Sequence, residues 1–365
     1  MQKKFVLSAL ATALLLVQGC TMTQEQTAPT ASSAEAVDTV DAVSGATPVP
    51  MAPTEAQKQF MGYTEGATVL SGIKPSIATI EARSGVIYSQ HATPNQLVQL
   101  KMHLLIPKSA EPKPAIIFFP GGGFTSADLD RYFQFRYILA EYGFVVATAE
   151  YRVVPNQFPA LLEDGKAAVR YLRYHAKDFG IDPNRIGVLG DSAGGYMAQI
   201  VGTTNGETKY DQGDYTEVSS DVQAVCSIYG ISDLLNIGEG YSEDIVAVHH
   251  SPAVTEALLV NGPAFNTFPG ASIDADLKRA QEASAINHVD KNDPPMLLLH
   301  GSADTLVSPW QSAHMYEKMK AAGVDVNYVM VEGAPHGGEL WHQFPVVQVV
   351  ANFFKDKLSA AEPAK

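Results

Sequence analysis

From residue 97 onward, short unbroken apolar runs alternate with longer stretches in which apolar residues recur every three to four positions. The strand-like runs are "LVQLKMHLLIP" (97–107), the continuously apolar "PAIIFFPGGG" (114–123), "FVVATAEY", "RIGVLG", "VQAVCSIYG", "PMLLLHG" and "VNYVMVEG". Several end in glycine, the pattern of strands buried on both faces. Between them, "RYFQFRYILAEYG", "ALLEDGKAAVRYLRYHAKDFG", "AGGYMAQIVG", "SAHMYEKMKAAG" and "VVQVVANFFKDKL" carry the helical period. Strands alternating with helices predict an α/β fold, a mostly parallel central sheet with helices on both faces. Two stretches break the alternation. Residues 203–221 are polar and loop-like, and 234–290 hold helical patterns but no sheet strand. An insertion at 234–290 is expected to form a small cap over the C-terminal ends of the strands, where open α/β sheets bind ligands.

The N-terminal region follows another pattern. Lys3 and Lys4 precede an apolar run, Phe5 to Val17, which is short for a membrane span and reads as an export signal over residues 1–19. Residues 20–59 are rich in Ala, Thr, Ser and Pro and lack aromatic residues before Phe60, so they predict a disordered tether. The catalytic domain is expected to occupy 60–365. "VQGC" resembles a bacterial lipoprotein lipobox, which implies that Cys20 becomes a lipidated N-terminus anchored in the membrane. Thr21, rather than Asp, follows it and points to the outer membrane. Composition narrows the partners. The chain is 46% hydrophobic and 18% charged, an ordinary globular balance, and its 39 acidic against 25 basic residues give a net charge of −14. Such a surface repels phosphate backbones, which excludes nucleic acid as a partner. The only other cysteine, Cys226, lies in an apolar run and reads as a core residue. His249 and His250 are adjacent, which on a strand would send them to opposite sides; without partners at ligand spacing they read as surface or lid histidines. No Cys/His spacing implies a metal.

Gly190-Asp191-Ser192-Ala193-Gly194 fits G-x-S-x-G between a predicted strand and a predicted helix. That spacing places a serine on a strained turn, with glycines where strand and helix must approach closely. A serine hydroxyl needs a base, and the base needs an orienting acid. Asp304 follows the strand "PMLLL" and His336 follows "VNYVMV", so the order Ser, Asp, His places all three at one end of the sheet. Asp233, after "CSIYG", is the rival acid. The glycines of "FFPGGGF" supply candidate oxyanion donors in the amides of Gly122 and Gly123, completed by that of Ala193.

From about residue 80 the chain resembles the esterase/lipase branch of the α/β-hydrolases, which includes hormone-sensitive-lipase-like and acetyl-xylan or feruloyl-type esterases. "PGGGF", "YRVVPNQFPALLEDGKAAVRYLRYHAKDFGIDPNRIGVLGDSAGG", "DPPMLLLHGSADTLV" and "GAPHG" carry the resemblance. Pro120 departs from it, standing where that branch has a His that supports the glycine loop. The resemblance implies a serine esterase without a cofactor, acting on small-molecule or carbohydrate esters. Export suggests substrates outside the cytoplasm, such as acetylated polysaccharides. Two alternatives share the scaffold: a peptidase of the prolyl-oligopeptidase type, which usually carries a propeller domain, and a non-catalytic glycan-binding lipoprotein.

Overall fold

The computed structural model describes residues 54, 55, 58, 62–74, 76–93 and 95–359. The expected signal and Cys20 lie outside the described residues. Of the expected tether only Thr54, Glu55 and Lys58 are described; Glu55 and Lys58 are helical and form an ion pair at 2.5 Å. The chain divides into two units, Met1–Ile73 and Lys74–Lys365, and the second carries the whole sheet.

Eight strands form that sheet: β1 (Ile80–Ala92), β2 (Leu97–Pro107), β3 (Lys113–Phe119), β4 (Val145–Ala149), β5 (Ile181–Asp191), β6 (Ala224–Ile228), β7 (Met296–Gly301) and β8 (Val326–Val331). Their order is β1-β2-β4-β3-β5-β6-β7-β8. β2 runs antiparallel to both neighbours, and every pairing from β4 across to β8 is parallel. The helices described in this second unit are α1 (Phe133–Glu141), α2 (Ala160–Tyr174), α3 (Ala176–Phe179), α4 (Ala193–Thr203), α5 (Glu243–His249), α6 (Thr255–Asn261), α7 (Leu277–Glu282), α8 (Trp310–Ala322) and α9 (Phe344–Lys357).

The strand period of two explains the layering. In β3, Ala115, Ile117 and Phe119 join one apolar cluster with Leu161 and Leu162 of α2, Met197 of α4 and Met315 of α8. Ile116 and Phe118 face the other way, with Phe135 and Leu139 of α1 and Val347 and Phe354 of α9. Both faces are covered, which is why the central strands read as unbroken apolar runs.

Two elements differ from the sequence reading. β1 was not expected: it is an edge strand whose pairing with β2 shifts register between Arg83 and Val86 and again between Ile87 and Ser89, so its alternation is interrupted. The helix expected through Gly180 breaks at His175 into α2 and α3, then ends at Gly180 in the left-handed region. Residues 234–290 contain α5, α6, α7 and 3-10 turns, with a lone bridge between Phe265 and Phe268 and no sheet strand.

Candidate active site

Because β3, β5, β7 and β8 run parallel, their following loops emerge at one end of the sheet. Ser192 stands between β5 and α4 with φ 54° and ψ −120°, a conformation strained for any residue with a Cβ. Close approach makes the turn possible. A Cβ on Gly190 would lie 2.0 Å from the Gly194 carbonyl oxygen, and one on Gly194 would lie 1.9 Å from that of Phe119. Only glycine fits either position.

Ser192, His336 and Asp304 form one hydrogen-bonded chain. Ser192 Oγ is 2.8 Å from His336 Nε2, and His336 Nδ1 is 2.8 Å from Asp304 Oδ2. A carboxylate only accepts, so Nδ1 carries the ring proton and Nε2 is left to accept from the serine hydroxyl. The ring of Tyr229 packs on the imidazole at 4.6 Å between centroids. Asp304 is buried, and its Oδ1 accepts from the amides of Leu306 (2.9 Å) and Val307 (3.0 Å). Burial by itself would raise its pKa, but hydrogen bonds from His300 and His336 outweigh it and hold the carboxyl well below the usual range. Asp304 therefore stays ionised beside the imidazole. Asp233 takes no part: its carboxylate accepts from the Leu235 amide and from Asn236, closing its own turn.

His300 was not anticipated. It reads as a core position in β7, yet its Nε2 lies 3.0 Å from the Val307 carbonyl and 3.3 Å from Asp304 Oδ2. The carbonyl only accepts, so Nε2 holds a proton shared with the carboxylate, while Nδ1 accepts from the Ser312 hydroxyl at 2.8 Å. His300 thus fixes the loop that carries Asp304.

The glycine loop lies after β3. Among the described residues no acceptor takes up the amides of Gly122, Gly123 or Ala193. The next amide back, Gly121, donates to Asp191 Oδ1 at 2.8 Å, and the Pro120 carbonyl accepts from Tyr151 at 2.6 Å. These bonds support the loop at the point where the resemblance led one to expect a His. Asp191 is fully buried and takes both Nε (2.9 Å) and Nη2 (2.7 Å) of Arg131 on its other oxygen. Burial pushes the Tyr229 phenol well up, so it stays protonated and donates to the same oxygen at 3.3 Å, accepting in turn from Tyr132. The residue before the serine thereby ties the glycine loop to the serine turn.

A small cavity of about 80 Å³ adjoins Ser192, walled in part by Phe124, Ile231, Ile237 and Val307. His249 and Glu256 line it too. Contrary to the strand geometry entertained for them, His249 is the last residue of α5 and His250 caps it, each paired with a different carboxylate: Glu256 and Asp274, both at 2.6 Å. Cys226 is buried in β6, and burial pushes its thiol well up, so it is an inert core residue.

The family model BD-FAE matches residues 102–319. The chain is 31% identical over 237 residues to the esterase LipC of Mycobacterium tuberculosis, an alignment covering 63% of this chain and 54% of that one. It spans about half the length of the curated relatives that it matches. Among solved structures it is similar in fold to a truncated carbohydrate esterase from gut microbiota, with TM-score 0.65 and 24% identity over 80% of this chain and 100% of that one. It is also similar to an acetyl ester-xyloside bifunctional hydrolase from Caldicellulosiruptor lactoaceticus, with TM-score 0.60 and 25% identity over 78% and 98%.

Proposed function

The chain belongs to the BD-FAE family, with the α/β-hydrolase fold, and from that membership we propose that it is a serine carboxylic-ester hydrolase acting on short-acyl esters such as acetylated carbohydrates. The observation that carries this reading is the chain Ser192–His336–Asp304, with 2.8 Å at both links. His336 Nε2 removes the proton from Ser192 Oγ as the oxygen attacks the ester carbonyl carbon. The carbonyl oxygen becomes an oxyanion held by the amides of Gly122, Gly123 and Ala193. Asp304, ionised, keeps the imidazole oriented and stabilises its cation. When the tetrahedral adduct collapses, His336 returns the proton to the departing alkoxide and the alcohol leaves. Water then attacks the acyl-serine, giving its proton to His336, which passes it to Ser192 Oγ as the acid is released. The chain's own residues suffice for every step.

Support for a short acyl group comes from the cavity beside Ser192, whose volume of about 80 Å³ suits an acetyl-sized group. The likeness to an acetyl ester-xyloside hydrolase supports a carbohydrate ester. Export and lipidation at Cys20 belong to the same proposal, placing the enzyme at the outer membrane, where acetylated glycans are met.

Ser192→Ala is expected to lower kcat/KM for p-nitrophenyl acetate by about 10³-fold or more and to abolish labelling by a fluorophosphonate probe. Full activity in that variant would overturn the assignment. Assays of p-nitrophenyl esters of increasing acyl length beside acetylated xylan test the substrate; hydrolysis confined to long chains removes the short-acyl reading.

A further inference from the structure

The cavity beside Ser192 is apolar except on one side, where a carboxylate and an imidazole close it. Glu256 is 3% exposed, and among the described residues its one close partner is His249 Nδ1, at 2.6 Å from Oε1. Its Oε2 has only the Thr255 hydroxyl, at 3.5 Å, the limit of a hydrogen bond. His249 donates through Nδ1, and its Nε2 has no hydrogen-bond partner among the described residues. Burying a carboxylate in an apolar wall is costly unless its hydrogen-bonding capacity is used. Here that capacity is about half used, and both residues of the pair line the cavity.

Position says what would use it. The same pair, with Thr255 and Leu306, also lines a wider groove of about 360 Å³ that includes Ile245 and Val254. Glu256 and His249 therefore stand where the small cavity meets the groove. On the short-acyl reading, an acetyl group held in the first would leave the second for the alcohol portion of the ester. A group at their junction would then face the atoms that flank the ester bond.

We propose that Glu256, oriented by His249, is a specificity residue that accepts a hydrogen bond from a free hydroxyl next to the ester oxygen. The site thereby selects partly acylated polyols, such as a sugar with a hydroxyl vicinal to its acetate, over esters of simple alcohols. His249 Nε2 offers a second hydrogen-bonding atom to the same group. A site built to bind a hydroxyl discriminates strongly against the analogue lacking it, because its polar groups are then left unpaired. The inference rests on the reading of Ser192 as the nucleophile.

The test compares a methyl xyloside carrying one acetate and a vicinal hydroxyl with its deoxy analogue lacking that hydroxyl. Each is assayed on the unaltered enzyme and on Glu256→Gln. The unaltered enzyme is expected to prefer the hydroxylated ester by at least about tenfold in kcat/KM. In Glu256→Gln the amide oxygen stays with the His249 Nδ1 proton and the NH2 that replaces the other oxygen cannot accept, so most of that preference should vanish, chiefly through loss on the hydroxylated ester. Equal hydrolysis of the two esters by the unaltered enzyme would overturn the inference even if the variant failed to fold. So would a variant that slows both substrates by the same factor, which marks a structural pair. Either result leaves the ester-hydrolase reading standing. Retained activity in Ser192→Ala would instead sink that reading and this inference with it, and hydrolysis of neither ester would sink the carbohydrate-ester substrate together with this inference.

Discussion

Asp191 occupies the position beside Ser192, yet none of its hydrogen bonds is made to the serine side chain. Its two oxygens hold the Gly121 amide on one side and Arg131 with Tyr229 on the other. Bonds to an ionised acceptor are short and strong, and here they hold the loop that carries Gly122 and Gly123, the oxyanion donors of the proposed reaction. In Asp191→Asn the amide group can still accept from Gly121, but its NH2 would be set against the Arg131 guanidinium, displacing the loop. A displacement of about 1 Å is enough to cost about 10²-fold in rate. We expect kcat for p-nitrophenyl acetate to fall by about 10- to 100-fold with KM little changed, since the donors act on the transition state. A variant that raises KM and leaves kcat intact would show that Asp191 does not position the oxyanion donors.

At the level of elements, the strand–turn–helix unit of β5, Ser192 and α4 depends on backbone approach more than on side-chain chemistry. A methyl group at position 194 would lie 1.9 Å from a backbone oxygen of β3, where no side chain can move aside. Gly194→Ala is expected to lower the melting temperature by several degrees, as an overpacked core costs about 1–3 kcal/mol, and to reduce fluorophosphonate labelling as the turn opens. Normal melting and labelling would contradict that account. This unit was legible in the sequence because its signal is local: two glycines, a serine and the periodicity on either side fall within a few residues. Asp304 and His336 were legible because each follows an apolar run that ends in a recognisable loop. The remainder was hidden by distance in the chain. Arg131 lies sixty residues before Asp191, and the pairing of His249 with Glu256 depends on how two short helices turn toward each other. His300 sits inside an apolar strand, where a polar residue gives no sign of its partner. β1 escaped notice because an edge strand with two register shifts shows no steady alternation.

For the molecule as a whole, stability against pH is set partly by carboxyl groups that folding shifts in opposite directions. Asp304 is depressed by its hydrogen bonds, so its contribution is present above the ordinary carboxylate range and is lost only as pH falls through its low folded value. It is a source of resistance to mild acid. Asp293 behaves in the opposite sense. Burial raises its pKa to about 7, against the pull of its bond from the Asp290 backbone. Its contribution is therefore fullest below the unfolded carboxylate pKa and is lost as pH rises from about 4 through about 7. Above that, the folded protein holds a half-buried carboxylate that water would solvate better. Asp293→Asn keeps an acceptor for the Asp290 amide, 3.0 Å away, and removes the titration. Screening at this half-buried site keeps the effect near about 1 kcal/mol, or about 2–4 °C. Thermal melts of the two proteins should therefore nearly coincide at pH 4 and separate by pH 8, with the Asn form the more stable. Parallel curves across that range would show that Asp293 titrates alike in the folded and unfolded chains, leaving the acid side to Asp304 and its kind.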